Sequence, residues 1–390
     1  MGINNMGSKK TEKRYLLVLS SMEIGGAERQ AINFAAFLKD NRRDVTILGL
    51  TDNGAVYDFC EERNIRCETL HVKNDFAYVL LGLVNKISYR MHYPLLPQAY
   101  ALYKYIEKGN FDICISYCTL ANTWLGLSRY FGHSKTLVWY QRDAGIFDSR
   151  EGYQAYAIRK MDILLSNSWS GYTWLKEAYD ADSDIIYNGA VLKEALYGFK
   201  EWRENLSLSD DKIMYTMIAN LSSAKDHMLL LRAWYHICNV EHYNNKILVF
   251  AGRFDDKYEE LYDYCKANNL SDYVHFLGSV VDVTGLLNAS QVCIFSAISE
   301  GSPNGIIEAE VMGLPVIATN LPEIREVLPD SSHDFLFERG DVETIIRLVK
   351  LLGDNEELRN DIGEKNKFFS RMKFDAKKNF KAVMNTVEEF

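Results

Sequence analysis

Two glutamates eight positions apart, in Glu300-Gly-Ser-Pro-Asn-Gly-Ile-Ile-Glu308, are the residues best placed to do chemistry in this chain of 390 residues. An apolar strand, Val292–Phe295, precedes them. Ser302 and Pro303 read as the N-cap and first residue of a helix that Gly313 closes, with Pro315 behind it. A helix that follows a parallel strand aims its free N–H groups and positive dipole end out of the carboxyl edge of the sheet. Such sheets bind ligands there, and phosphate is the natural guest. Gly301, Ser302, Pro303, Asn304 and Gly305 would line that anion site, with Glu300 ahead of the helix and Glu308 a turn or more into it. Two carboxylates so placed can hold different hydroxyls of one sugar nucleotide. Two surface glutamates at a helix start give the same pattern, because acidic residues are common there.

A second glycine turn, Gly25-Gly26, follows the apolar run Tyr15–Ser20 and opens a helix with Ile32, Ala35 and Leu38 on one face. Glycines there let backbone N–H groups approach a phosphate, or simply make a tight turn. No GxGxxG falls at any strand–helix turn and no GxxxxGK[ST] occurs, so the dinucleotide and P-loop fingerprints are absent. Arg142, in Tyr140-Gln-Arg-Asp143, would sit at the rim of its sheet, to bind an anionic acceptor group or to form a surface ion pair. Asn122 falls in a similar strand–helix turn, and Thr319 with Asn320 reads as a further capped helix start. Asp180, Asp182 and Asp184 have DxD spacing but precede their strand, at the wrong end of a sheet for a metal-bound donor. No metal is expected.

The elements that must hold these residues alternate. Strands at Tyr15–Ser20, Val45–Leu50, Ile113–Tyr117, Lys135–Tyr140, Ile163–Ser166 and Asp184–Tyr187 form one set. A second begins at Ile213–Ala219 and continues through Lys246–Ala251, Val274–Leu277, Val292–Phe295 and Pro315–Ala318, with helices between. This predicts two α/β, Rossmann-like domains in tandem. The expected boundaries are a disordered basic tail over 1–13, a first domain over 14–192, a polar linker over 193–212, a second domain over 213–370 and a closing helix over 371–390.

Composition agrees with a soluble globular chain: 47% hydrophobic, 25% charged, and a net charge of −9 that argues against nucleic-acid binding. The acidity is uneven, with 22 basic against 21 acidic residues over 1–190 and 22 against 32 beyond. Seven cysteines without a CxxC read as buried thiols in a reducing, cytoplasmic compartment. The longest apolar run, Phe76–Val84, is too short to cross a membrane. The wider stretch Phe76–Tyr105, rich in aromatics, would serve as an amphipathic face for a lipid-linked acceptor or as core under a variable loop.

The ordered set of motifs resembles the retaining glycosyltransferases of family 4, which have the GT-B fold. Glu300 and Glu308 stand in that family's E-x7-E arrangement. Val274-His-Phe-Leu-Gly278, Glu308-Ala-Glu-Val-Met-Gly-Leu-Pro-Val-Ile-Ala-Thr319, Ile186-Tyr-Asn-Gly189 and Gly25-Gly26-Ala-Glu28 occur in its order, from about Tyr15 to Val327. The resemblance implies two domains facing each other across a cleft, with the closing helix returning to the first. It implies a nucleotide-diphosphate sugar as donor substrate, held by the second domain, and no separate cofactor. Glu308 would hold the ribose, Glu300 the transferred sugar and Lys225 the diphosphate, while Gly25-Gly26 reaches the donor phosphates or the acceptor. Asn220 stands where many relatives have arginine, with Arg253 as a candidate substitute. No histidine occupies the turn around Asn122, where members often have a functional one. The implied activity moves a hexose or N-acetylhexosamine, a UDP-sugar being favoured, to a hydroxyl of a glycan or lipid-linked oligosaccharide in cell-surface polysaccharide synthesis. Such an enzyme would work in the cytoplasm, with a peripheral contact at the inner face of the membrane. The competing reading is a scaffold or nucleotide-sugar-binding subunit that kept the fold and lost the chemistry. A hydrolase with paired carboxylates has no use for Lys225 or two Rossmann-like domains.

Overall fold

The computed structural model describes residues 13–51, 54–72, 80, 95–143, 145 and 152–390. The tail expected before Lys13 and much of the amphipathic stretch 76–105 lie outside them. Two compact units emerge. The first comprises residues up to Asn167, Gly171–Ile186 and Phe380–Phe390, and the second comprises Ser168–Ser170 and Tyr187–Asn379.

The first unit is built on seven parallel strands: β1 (Arg14–Leu19), β2 (Asp44–Gly49), β3 (Arg66–Thr69), β4 (Ile113–Tyr117), β5 (Thr136–Gln141), β6 (Ile163–Ser166) and β7 (Asp184–Ile185). Their order is β3-β2-β1-β4-β5-β6-β7. Tyr15 through Leu19 and most of β4 and β5 are buried, which is why they read as continuous apolar runs: helices cover both faces of a parallel sheet. From Phe380 onward the last helix (Ala376–Glu389) belongs to this unit. The Phe380 ring lies 5.7 and 5.8 Å from those of Phe34 and Phe37. Glu388 pairs with Arg43 at 2.6 Å and accepts from the Tyr15 hydroxyl at 2.7 Å. Arg43 first, with the Tyr15 hydroxyl, holds the Glu388 carboxyl below its usual range.

The second unit has six parallel strands: β8 (Ile213–Ile218), β9 (Lys246–Ala251), β10 (Val274–Phe276), β11 (Val292–Phe295), β12 (Val316–Thr319) and β13 (Leu336–Phe337). Their order is β10-β9-β8-β11-β12-β13. One large core joins Trp234, Phe250, Phe295, Phe337 and Phe374 with the aliphatics of these strands.

The polar stretch 193–212 is no free linker but part of this unit. Phe199–Asn205 is a helix, and the Asp282 carboxylate accepts from the Leu196 and Tyr197 N–H groups at 3.0 Å and from the Trp202 indole at 2.8 Å. Arg203, 2% exposed, donates to the Lys212 carbonyl at 2.8 Å. The charged composition hid Trp202 and Leu206, whose apolar contacts anchor the segment on Met214 and Ile247. The closing stretch is two helices, Glu356–Lys373 and Ala376–Glu389, broken around Phe374, which turns into the core at 1% exposure.

In each sheet the strand order reverses once, between β1 and β4 and between β8 and β11. The loops leaving those strands at their carboxyl ends diverge there and leave a crevice for a ligand.

Candidate active site

In the second unit the crevice lies between the loops after β8 and β11, and the backbone ties the two together. Ile298 N–H donates to the Ala224 carbonyl at 3.0 Å and Asp226 N–H to that of Ser296 at 3.2 Å. An antiparallel bridge joins Lys225 to Ala297. This places the Lys225 ammonium on the Glu300 carboxylate in a direct ion pair, with side-chain exposures of 17 and 9%. The same ammonium lies 5.4 Å from the centre of the Phe295 ring. Two residues 75 positions apart thus form one charged centre at the switch point of the sheet.

The helix after Glu300 is Asn304–Met312, one residue later than its sequence suggests. The Pro303 carbonyl accepts from Ile306 and Ile307 N–H at 3.0 and 3.2 Å, so Pro303, not Ser302, is the N-cap. Ser302 and Asn304 are engaged elsewhere: the Asn188 amide donates to the Ser302 hydroxyl at 3.2 Å and to the Asn304 side-chain oxygen at 2.8 Å. Asn188 is 2% exposed, and its carbonyl accepts from Asn379 Nδ2 at 3.1 Å. Gly305 answers to packing, since a Cβ there would sit 2.3 Å from the Ile218 carbonyl oxygen of β8. The helix start is therefore pressed onto β8 and pinned by a buried amide. Glu308, half-buried, follows in the second turn.

Two charged positions differ from expectation. Asn220 accepts the Arg253 N–H at 3.1 Å, while the Arg253 guanidinium lies on Asp255 at 2.6 and 3.1 Å. Arg253 is thereby drawn to a neighbouring carboxylate, which argues against it as the missing phosphate ligand. Thr319 and Asn320 cap nothing: Thr319 Oγ1 accepts from Ala297 N–H at 3.1 Å, Asn320 Nδ2 donates to Glu338 at 2.6 Å, and Leu321 is the N-cap of the next helix.

Sequence reasoning overlooked two buried groups around this centre. His227, 1% exposed, has neither ring nitrogen hydrogen-bonded and meets Phe250 edge-on at 4.9 Å. Burial, with Lys225 nearby, pushes its imidazole down to about 3. Glu310, two residues past Glu308, is fully buried with both carboxyl oxygens unpartnered. Burial raises it well above the carboxylate range, only partly offset by Lys373. Polarity alone suggests surface positions for both, and no spacing rule marks them as internal.

The crevice of the first unit is framed by the loops after β1 and β4, joined where Ala121 N–H donates to Ser20 Oγ at 3.1 Å. Gly25 is the N-cap of the helix Gly26–Asp40 in extended backbone. A Cβ on it would lie 2.7 Å from the Glu28 carboxylate, so a first-turn acid stands at that helix start. Cys118 has φ 70°, ψ 153°, a conformation strained for any residue but glycine, directly after β4. Burial pushes its thiol up, which disfavours the thiolate. Arg142 is 9% exposed, with its guanidinium 4.7 Å from the Tyr140 ring and 5.6 Å from the Tyr117 ring. Asn122 is not at a rim. It is fully buried, hydrogen-bonded to Ser116 at 2.7 Å, and holds the first turn of its helix against β4. Asp180 and Asp182 pair with Lys176 at 2.9 and 3.1 Å at the amino end of β7. Among the described residues, no group of three or more His, Cys, Asp or Glu could hold a metal ion. No helix among them is long and apolar enough to cross a membrane.

Residues 198–368, all in the second unit, match the family model described as glycosyl transferases group 1. The chain is 22% identical over 358 residues to an uncharacterized glycosyltransferase of Haemophilus influenzae, covering 90% of this chain and 94% of that protein. It is 25% identical over 171 residues to the UDP-Gal:alpha-D-GlcNAc-diphosphoundecaprenol alpha-1,3-galactosyltransferase of Escherichia coli, covering 44% and 42% of the two chains. Among solved structures, HepE of Anabaena in complex with UDP and glucose aligns with a TM-score of 0.81 at 18% identity, over 97% of this chain and 100% of that one. The fold is the GT-B fold of glycosyltransferases, with two parallel Rossmann-like units.

Proposed function

We propose that the protein is a retaining, metal-independent glycosyltransferase that moves a hexose or N-acetylhexosamine from a UDP-sugar to a hydroxyl of a glycan or lipid-linked oligosaccharide in surface polysaccharide synthesis. The observation that carries this reading is the Lys225–Glu300 pair at the switch point of the second sheet, beside a helix start that favours an anion. UDP and glucose in the structural neighbour, and the UDP-Gal donor named for the Escherichia coli relative, support the donor class.

The pair has a defined job in such a reaction. A diphosphate entering the crevice competes with Glu300 for the Lys225 ammonium. As the ammonium turns to the phosphate, Glu300 is released to accept hydrogen bonds from the sugar hydroxyls, while Glu308 takes those of the ribose. The bond from the anomeric carbon to the diphosphate oxygen breaks with its electrons going to the phosphate, whose growing charge Lys225 stabilises. The acceptor oxygen bonds to the same face of that carbon, and its proton passes to the departing phosphate oxygen. No covalent sugar–enzyme bond forms. Arg142 of the first unit is assigned to an anionic group of the acceptor.

Saturation-transfer NMR with UDP-, GDP- and ADP-sugars on wild type and Glu308→Ala tests this assignment. Binding of the UDP-sugar, weakened by the substitution, is expected. Binding of none, or equal binding by both proteins, would shift the balance to a scaffold subunit, which the paired Arg253 and uncharged Asn220 already favour as the second reading.

A further inference from the structure

The helix Val56–Glu62 and the edge strand β3 are joined by a short turn, and two cysteines meet across it. Backbone bonds close the turn: Arg63 N–H and Ile65 N–H both donate to the Cys60 carbonyl, at 3.2 and 2.8 Å. Tyr57 and Cys60, a helical turn apart, share one face of the helix, while Cys67 and Thr69, at alternate positions, share one face of the strand. The Tyr57 and Thr69 hydroxyls are hydrogen-bonded, which sets these two faces against each other. The Cys60 and Cys67 thiols form a second hydrogen bond across the same seam. Cys60 is fully buried, whereas Cys67 is partly exposed on a strand at the edge of its sheet. Both are free thiols.

The thiol–thiol hydrogen bond, with Arg63 beside it, lowers Cys60, and the same bond raises Cys67, so one proton is held between two sulfurs. At Cys114, Cys238, Cys265 and Cys293 burial dominates instead and pushes each thiol up. The geometry points to Cys60 and Cys67 as a modification site, which hydrogen peroxide converts to a reversible disulfide that clamps the helix Val56–Glu62 to β3. A peroxide oxygen adds first to the Cys67 sulfur, giving a sulfenic acid and releasing water. The Cys60 sulfur then displaces that oxygen, which leaves with the Cys60 proton as a second water. Two S–H bonds and one O–O bond break, one S–S and two O–H bonds form, and the electrons lost by sulfur reduce the peroxide. The clamp bears on the first unit's crevice, because Val56 N–H donates at 3.1 Å to the Met22 carbonyl, in the loop that leads from β1 to Gly25. This inference stands on the two thiols and does not depend on the catalytic reading.

The test oxidises the full chain with hydrogen peroxide, blocks the remaining thiols with N-ethylmaleimide and maps tryptic peptides by mass spectrometry. Trypsin cuts after Arg63 and Arg66, so Cys60 and Cys67 travel together only if a disulfide links their peptides. The linked pair is expected in folded wild type and should be lost on adding dithiothreitol. Cys60→Ser should halt at the Cys67 sulfenic acid, which dimedone traps, whereas Cys67→Ser should leave Cys60 reduced. Hydrogen exchange at the Val56 amide should slow by about tenfold or more on oxidation of the wild type. A wild type in which Cys60 and Cys67 stay reduced, or pair with other cysteines, overturns the inference, as does a link that forms only in urea. Equal Val56 exchange in the reduced and oxidised proteins overturns the clamp.

Discussion

Lys225 and Glu300 neutralise each other in a site less than one-fifth exposed, so removing either partner changes what the other can do. Replacing Lys225 by glutamine leaves a buried carboxylate facing an incoming diphosphate, and both UDP affinity and turnover should fall, turnover by about 100-fold or more. Glu300→Gln does the reverse to binding. It frees the ammonium from its carboxylate, so calorimetry should show UDP bound as tightly as in wild type or up to about tenfold tighter, while sugar transfer drops by a similar factor of about 100. A fall in UDP affinity in Glu300→Gln would sink the exchange of partners proposed for Lys225. Cys118 offers a second test at this scale. Glycine relieves its positive φ, whereas a β-branched residue cannot adopt it, so Cys118→Gly should retain at least wild-type stability and Cys118→Val lose about 2 kcal/mol in urea melts.

At the scale of elements, the helix Asn304–Met312 is aimed by one buried amide. Asn188→Ala removes the donor to Ser302 and Asn304 and leaves the Asn304 oxygen without that partner, at a cost of about 1–3 kcal/mol. Because these contacts fix the turn before Glu308, the KM for donor should rise more than kcat falls. A variant with lowered stability and an unchanged KM would show Asn188 to be structural only. The limits of sequence reading are visible here too. Both parallel sheets were legible because strands such as Leu16–Leu19 and Val292–Phe295 are buried on both faces and so are apolar without a break. The edge strands β3 and β13 carried no such signal, one reading Arg-Cys-Glu-Thr and the other only two residues long. Glu300 and Glu308 stood out because their spacing is local to one helix start. The Asn188 contacts span 114 and 116 positions, a relation that no spacing rule encodes. Asn122 and Ser302 were misplaced because a polar side chain in a strand–helix turn looks the same whether it faces a ligand or satisfies the core.

For the whole molecule, the buried ionisable groups predict two units with different responses to acid. In the first, burial, with Arg129 near, pushes His133 down to about 4. Below pH 6.5 the unfolded chain takes up a proton that this folded unit refuses. Its stability, complete above that pH, should therefore fall by about 1.4 kcal/mol per pH unit until about pH 4. The second unit holds His227, lowered to about 3, and His275, also lowered by burial, which act in the same direction, but also Glu310 and Glu326, both raised by burial. Above the ordinary carboxylate range the folded unit keeps a proton on Glu310 that the unfolded chain has lost, so that group favours folding as pH falls. In mild acid the histidines and the carboxyls oppose each other, and the second unit should be less acid-sensitive than the first. His227→Leu removes one of the two destabilising histidines and should shrink this unit's loss of melting temperature as pH drops below 6.5. Glu310→Gln removes one of the two raised carboxyls, raising stability at pH 7.5 while steepening the unit's loss of stability in acid. Differential scanning calorimetry across this range resolves the two transitions if the units melt separately. The balance would be refuted by a Glu310→Gln variant whose second transition follows pH as the wild type does, because the carboxyl would then be ionised in both states.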